Sequence, residues 1–181
     1  MQKAGGTMNT AERRPLERIT LAGYKSIREL KSFALERGLN VLIGSNGSGK
    51  TNFIRFFELL GHIMDPNKGL QNYVSGLGRA DAFLFRGMKV TPEFAAHLTF
   101  GLNEYAFTLR AADDRSLFFA REEAPFQGPK FGTITNNQGS GHVESALVRK
   151  RVLGTRNLLI YRFTSHLQAV FAAPSITKSS A

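Results

Sequence analysis

One stretch of the chain combines glycines, a lysine and a hydroxyl side chain at a spacing that suits a phosphate chain. Residues 44–51, here called the glycine loop, fit the pattern G-x-x-x-x-G-K-[ST] at every position. Glycines let the backbone wrap closely and adopt positive φ, and successive amide N–H groups then form a nest for an anion. Lys50 is predicted to reach the β- and γ-phosphates, and Thr51 to place its hydroxyl on Mg²⁺. The predicted nucleotide-binding residues are Gly44, Ser45, Asn46, Gly47, Ser48, Gly49, Lys50, Thr51 and Asn52.

The segments on either side of the glycine loop have the patterns of a strand and a helix. Residues 39–43 are an apolar run that ends at a glycine, which predicts a buried strand. Residues 52–64 place apolar side chains at spacings of three, four and seven, which predicts a helix that Asp65 and Pro66 terminate. The loop would therefore open into a helix whose N-terminus carries partial positive charge. The sequence predicts a site for a nucleoside triphosphate, ATP with Mg²⁺.

The remaining elements follow from alternation and turn residues. Strands are predicted at residues 18–22 and 32–35 with a bend at 24–27, then an antiparallel meander at 94–100, 104–110 and 116–121. Further along, residues 125–141 are predicted to be loop, 140–153 helix and 157–163 strand. The domain organisation that follows is a flexible leader at 1–15, one lobe at 16–171 and a frayed tail at 172–181.

Composition and charge limit the classes of function. The 181 residues are 42% hydrophobic and 21% charged, as in globular proteins, and the absence of Cys excludes disulfides and thiolate metal sites. No apolar run approaches the roughly 20 residues of a membrane span, and a cytoplasmic protein is expected. The net charge of +10 favours polyanion partners. A basic C-terminal stretch is a candidate DNA contact, with a solvated helix face or a surface for an acidic partner as alternatives; it comprises Arg149, Lys150, Arg151, Arg156 and Arg162.

The glycine loop and the bend before it resemble one family. Residues 21–26 read Leu-Ala-Gly-Tyr-Lys-Ser, and the loop reads Gly-Ser-Asn-Gly-Ser-Gly-Lys-Thr-Asn. Together they resemble the ABC-like ATPase head of RecF, SMC-type proteins and OLD-like AAA family ATPases. The resemblance implies an α/β P-loop NTPase, a head lobe with an antiparallel β meander beside a partial parallel core. It also implies that Lys25 or Tyr24 touches base or ribose, that Asn52 caps the helix start, and that two heads dimerise around ATP; for Lys25 and Tyr24 the alternative is an ordinary exposed lysine and a core tyrosine.

Other parts that the family needs for hydrolysis are not recognisable in the sequence. No run of four apolar residues precedes an Asp-Glu pair, and Asp113-Asp114 is better explained as a turn. Nor do residues 140–142 make a convincing Ser-Gly-Gly signature. By the resemblance, Gln127 or Gln138 would sense Mg²⁺, with an ordinary loop amide as the alternative.

These gaps lead to an expectation about the whole protein. The chain is expected to be the N-terminal portion of a longer ATPase whose hydrolysis needs a second head or a missing C-terminal half. Its expected role is in DNA maintenance or phage defence. The alternative is a non-catalytic interaction module derived from a truncated ATPase. A GTPase is disfavoured because the N-K-x-D motif is absent: Asn67 and Lys68 are followed by Gly69 and Leu70. A kinase has no acceptor-site motif to support it.

Overall fold

Alternating apolar and polar residues build a sheet, and three helices accompany it. The computed structural model describes residues 15–67, 69–128 and 132–152. One 3₁₀ turn among these residues spans Ala80–Ala82. The strands are β1 Arg18–Tyr24, β2 Ile27–Ala34, β3 Glu93–Phe100, β4 Asn103–Ala111, β5 Leu117–Gly128 and β6 Gly132–Gly139. The helices are α1 Lys50–Ile63, α2 Gly69–Gly76 and α3 Ala146–Val152.

The six strands form one sheet in the order β2-β1-β3-β4-β5-β6, and each neighbouring pair is antiparallel. The fold is therefore α/β, and the predicted meander is confirmed as β3, β4 and β5. In β3 the side chains of Phe94, Ala96, Leu98 and Phe100 are buried, whereas those between them are more exposed. This period of two directs one sheet face toward the helices, and no helix among the described residues covers the other face.

The helices bury the inner face of the sheet through aromatic contacts. On α1, Phe56 packs edge-on against Tyr24, with ring centroids 5.5 Å apart, and both side chains are fully buried. Tyr24 also lies 5.2 Å from the ring of Phe94 on β3. Phe53, one turn earlier on α1, contacts Phe33 of β2 at 5.4 Å. The helix that begins at the glycine loop is thus fixed on the first two strands.

Gly23 makes the end of β1 possible. Its φ is +77°, and a Cβ there would lie 2.8 Å from the carbonyl oxygen of Glu93, closer than real Cβ atoms approach. Gly23 and Tyr24 are consecutive and both buried, which breaks the alternation of β1. The left-handed backbone of Gly23 allows the next side chain, that of Tyr24, to enter the core. The chain then turns through Lys25 and Ser26 into β2, as the predicted bend requires.

Two predicted elements are wrong. Residues 39–43 form no strand: Leu39, Val41 and Ile43 are 87%, 68% and 92% exposed. A buried strand of a parallel core needs neighbours on both sides, and the described residues pair only in antiparallel fashion, none of them with this segment. Residues 125–141 are not loop, because β5 runs to Gly128 and β6 follows it. β6 is a polar edge strand that backbone hydrogen bonds to β5 hold in the sheet. Because its residues do not alternate between apolar and polar types, the sequence pattern does not indicate a strand there.

The other predicted elements have mixed outcomes. The helix after the glycine loop is confirmed as α1, and that predicted at 140–153 is present but shorter, as α3. The strand at 157–163, the tail at 172–181 and all of the leader except Pro15 lie outside the described residues.

Candidate functional site

The glycine loop has the backbone geometry of an anion nest that opens a helix. Gly47 and Gly49 have φ of +83° and +93°, which side chains other than glycine rarely adopt. Gly49 is the residue before α1, and its carbonyl oxygen accepts the first helical bond, from the Phe53 N–H at 2.8 Å. In the part of the chain that the structure describes, no side chain caps this helix end. The N–H groups of the first turn are therefore available to an anion.

The Lys50 ammonium lies inside the loop. Its Nζ donates to the carbonyl oxygens of Gly44 at 2.6 Å and Ser45 at 2.7 Å, and to Ser48 Oγ at 3.3 Å. These neutral acceptors fix the charge where the backbone of the loop curves around it. A phosphate placed there would meet the ammonium and the helix N-terminus together, and charge-assisted bonds are stronger than those to neutral carbonyls.

A side-chain hydrogen bond ties the loop to the bend between β1 and β2. Asn52, in the first turn of α1, donates from Nδ2 to Ser26 Oγ at 2.8 Å. The same oxygen would lie 3.3 Å from a Cβ on Gly49. Asn52 is therefore engaged with the bend. Sequence reasoning missed Ser26 as a partner, although it belongs to the bend that carries the family resemblance.

The two other predicted bend residues differ in exposure, since Tyr24 is buried and Lys25 is half-buried. Tyr24 is fully buried and is a core tyrosine, so base or ribose contact by its side chain is wrong. Lys25 donates from Nζ to the Ala82 carbonyl oxygen at 2.8 Å and lies 4.6 Å from the Phe83 ring centroid. Burial, and secondarily the positive charge of Arg55, lowers the pKa of Lys25. Contact of Lys25 with a nucleotide stays a prediction, and it would require this bond to break.

Of the predicted Mg²⁺ ligands, Thr51 is exposed in the first turn of α1, and neither glutamine lies nearby. Gln127 bonds to Leu102 and Thr133 at the end of the sheet opposite the bend. Gln138 lies on β6, at the edge opposite β2, five strand spacings or about 24 Å across the sheet. The sheet register thus separates both glutamines from the glycine loop in this chain, and contact of either one with Mg²⁺ stays a prediction.

Asp113 and Asp114 lie in a turn, as the sequence favoured. Asp114 Oδ1 accepts the Ser116 N–H at 2.8 Å, and hydrogen bonding by Ser116 lowers the pKa of Asp114. Asx turns of this kind hold a chain reversal between strands. The pair therefore closes the connection from β4 to β5.

The structure reveals a buried carboxylate that sequence reasoning missed. Glu122 on β5 is fully buried. Its Oε1 accepts the hydroxyls of Tyr105 at 2.7 Å and Ser145 at 2.5 Å, and its Oε2 lies 2.8 Å from both the Ala146 N and His142 Nε2. Burial, then the charge of Glu122, raises the pKa of Tyr105 well above its ordinary value. Residues 140–142, which do not match the Ser-Gly-Gly signature, thus lead into this cluster of hydrogen bonds around Glu122 at the start of α3.

Three further site predictions are limited to what the structure describes. Among the described residues, no group of three or more His, Asp or Glu side chains could hold a metal ion. In those same ranges, no helix has the length and apolarity to cross a bilayer. Of the basic C-terminal stretch, Arg149 is exposed on α3, and the side chains of Lys150, Arg151, Arg156 and Arg162 lie outside the described residues.

Three comparisons with known proteins found matches. A family model described as "AAA domain, putative AbiEii toxin, Type IV TA system" matches residues 39–138. The DNA replication and repair protein RecF of Aliivibrio salmonicida (strain LFI1238) is 27% identical over 168 residues, covering 81% of this chain and 46% of that protein. The chain thus spans less than half the length of this relative. A solved structure from "Structural biochemistry of ATP-driven dimerization and DNA stimulated activation of SMC ATPases" is 17% identical, with 88% of this chain and 81% of that chain covered and a TM-score of 0.45.

Proposed function

Because the chain belongs to the AAA domain family of ABC-like P-loop ATPases, we propose that it binds ATP with Mg²⁺ on the glycine loop. The observation that carries the proposal is the Lys50 ammonium, held by the carbonyl oxygens of Gly44 and Ser45 at the start of α1. Three features converge there: positive-φ glycines, an uncapped helix N-terminus and a fixed cation. Each favours a polyphosphate.

The residues of the loop have separate roles in this proposal. Lys50 would move its ammonium from the loop carbonyls to the β- and γ-phosphate oxygens, and the loop N–H groups would hold the phosphates. Thr51 would place its hydroxyl on Mg²⁺. When bound, Mg²⁺ neutralises phosphate charge. Asn52 would position the loop through Ser26 rather than contact the nucleotide.

A comparison of two lysine variants tests nucleotide binding. We expect Lys50→Ala to weaken Mg-ATP binding about 10- to 100-fold, the value of one or two charge-assisted hydrogen bonds. Lys31→Ala is the matched control, because Lys31 is exposed on the edge strand β2 and its ion pair, within the described ranges, is with Glu29 at 3.2 Å. Isothermal titration calorimetry measures both. Equal affinity of Lys50→Ala and the unmodified protein would refute the assignment.

We propose further that this chain by itself hydrolyses ATP slowly. The sequence has no apolar run before an Asp-Glu pair that could hold Mg²⁺ and activate water. Catalysis of phosphoryl transfer is mostly positioning and charge stabilisation, so an absent group costs much of the rate. Steady-state phosphate release measures this property. Turnover near 1 s⁻¹ or faster, at the low end of typical enzymes, would contradict the proposal.

The exposed apolar segment at residues 39–43 supports a need for additional strands. Ile43 is 92% exposed and Leu39 is 87% exposed, immediately before the glycine loop. We propose that a second head of the same kind, or a C-terminal half of the ATPase, covers this segment. Analytical ultracentrifugation with and without Mg-ATP tests self-association; a monomer in both states would exclude the second copy.

The broader role is proposed from the relatives. The name of the RecF relative, a DNA replication and repair protein, supports a role in DNA maintenance. Phage defence is the alternative role that we propose, and we propose a cytoplasmic location for both. A non-catalytic interaction module is the second candidate, and the exposed run at residues 39–43 favours it. Nucleotide binding with no hydrolysis, even in the presence of DNA, would support that module; hydrolysis stimulated by DNA would support the ATPase.

A further inference from the structure

A second site lies on the open face of the sheet, opposite the helices. A groove of about 610 Å³ runs where β1 and β3 pair, and its floor includes Ala22 and Ala95. We call it the outer groove. The residues that define it are Ala22, Gly23, Arg28, Phe85, Arg86 and Glu93. A shallower groove of about 400 Å³ shares Ala22 and Ala95 and continues toward β4 and β5. Small side chains on the floor leave room for an extended ligand.

The unpaired charge of the outer groove is positive. Arg28 and Arg86 are exposed, and neither guanidinium has an ion-pair or side-chain hydrogen-bond partner among residues 15–67, 69–128 and 132–152. The acidic residue of the groove, Glu93, is neutralised by Arg110, whose Nη2 lies 2.6 Å from its carboxylate. An anion would therefore meet two free guanidinium groups and no free carboxylate of this groove.

The Arg86 guanidinium is held beside an aromatic ring. Its Cζ lies 5.4 Å from the ring centroid of Phe85, which also lines the groove. The backbone of Arg86 is left-handed, with φ of +60°. Hydrogen bonds on both sides hold it: Phe85 N donates to the Gly23 carbonyl oxygen at 2.8 Å, and Gly87 N donates to that of Leu84 at 3.1 Å. The pairing of this segment with the end of β1 thus fixes where Arg86 stands.

We propose that the outer groove binds single-stranded nucleic acid, with Arg28 and Arg86 on phosphates and Phe85 against a base. Guanidinium groups match phosphate oxygens bidentately, and a cationic groove with an aromatic ring is the usual construction of single-strand sites. An acidic peptide would satisfy the arginines but offers no base for Phe85. The site goes beyond the proposed nucleotide site and uses none of the residues of the glycine loop.

The test uses the full chain and a fluorescent 15-nucleotide oligothymidylate, with anisotropy measured over a salt series. Each phosphate contact on a single strand contributes about 0.7 to the slope of log K against log salt. We expect Arg28→Gln and Arg86→Gly each to reduce the slope by about 0.7, and the double variant by about 1.4. Glycine suits the backbone of Arg86, so Arg86→Gly should not lower the thermal unfolding midpoint.

Arg115→Gly is the matched control. Arg115 is exposed, has φ of +64° and does not line the outer groove. Like Arg86→Gly, this variant removes one positive charge from a residue with positive φ. It should leave the slope of log K against log salt unchanged. Arg28→Gln and Arg86→Gly should bind Mg-ATP as the unmodified protein does, which separates failure here from failure of the nucleotide site.

Three results would overturn the proposal. One is the absence of binding at about 50 mM salt, and another is an equal loss in Arg115→Gly, which would indicate general charge attraction. The third is equal competition by polyglutamate at matched charge, which would point to an acidic protein partner. A selective loss in the two groove variants, with weak competition by polyglutamate, would support it.

Discussion

The buried carboxylate of Glu122 allows the sharpest prediction about stability. In Glu122→Gln the side chain keeps its shape but loses its charge, and one oxygen that accepts two donors becomes a donor. Bonds to a charged group are worth about 1.5–3 kcal/mol each, against about 0.5–1.5 kcal/mol for neutral ones. The lower cost of burying an amide offsets part of that difference. We expect a net loss of about 2 kcal/mol in the free energy of unfolding.

A second substitution separates loss of charge from loss of all acceptors. Glu122→Leu would leave the Tyr105 and Ser145 hydroxyls, the His142 ring and the Ala146 N–H without this acceptor in a dry environment. We expect a loss of about 4 kcal/mol or more, in the range for breaking a buried charged network. We expect α3 to be the element destabilised most, because two of the four donors, the Ser145 hydroxyl and the Ala146 N–H, lie at its start.

Glu29 is the control. It pairs with Lys31 at 3.2 Å, and the side chains of Glu29 and Lys31 are 55% and 76% exposed. Such exposed pairs contribute about 0–1 kcal/mol, so Glu29→Gln should change stability by no more than that. Urea unfolding followed by far-UV circular dichroism gives midpoint and slope for each variant, and 2 kcal/mol corresponds to a shift of about 1 M. If Glu122→Gln lies within about 0.5 kcal/mol of the control, the carboxylate does not have the structural role assigned to it.

Other expected outcomes concern the glycine loop and the core tyrosines. Gly49→Ala should lower the free energy of unfolding by about 1–2 kcal/mol and weaken Mg-ATP binding, since φ is +93° there. Gly76→Ala is the control, because Gly76 lies at an unhindered helical position where alanine should be neutral or stabilising. Urea unfolding and calorimetry compare the two variants. Asn52→Ala should weaken Mg-ATP binding less than tenfold, because it loosens the loop without removing a phosphate contact; a loss as large as that of Lys50→Ala, measured in the same titration, would contradict this. Burial raises the pKa of both Tyr24 and Tyr105 above the ordinary value near 10. The stability that these two tyrosines contribute is therefore complete below pH 10 and is lost as pH rises above it. In a Tyr73→Phe/Tyr161→Phe variant, absorbance at 295 nm should show tyrosine ionisation only with unfolding, and reversible ionisation near pH 10 at constant circular dichroism would refute the assignment.

The sequence was informative where the structure is local. The helix after the glycine loop and the three meander strands have periods of 3.6 and two, which arise from the backbone itself and are visible in any short window. The glycine loop could also be predicted from a short stretch of sequence, because the positive φ at positions 47 and 49 is a property of the local backbone that requires glycine. The segment at residues 39–43 shows the limit of this reasoning. Its apolar run is that of a buried strand, but burial needs neighbouring strands that the described residues do not provide.

By itself, then, the sequence determined a glycine loop opening an amphipathic helix, a meander of strands, and the family to which they belong. Only the tertiary structure decided which side chains meet. The bond of Asn52 to Ser26 spans 26 positions, and that of Glu122 to Ser145 spans 23. The unpaired Arg28 and Arg86 come together in one groove because the chain after α2 pairs with the end of β1. Such contacts depend on sheet order and register, which are set by the packing of the whole core and leave no periodic trace in the residues concerned.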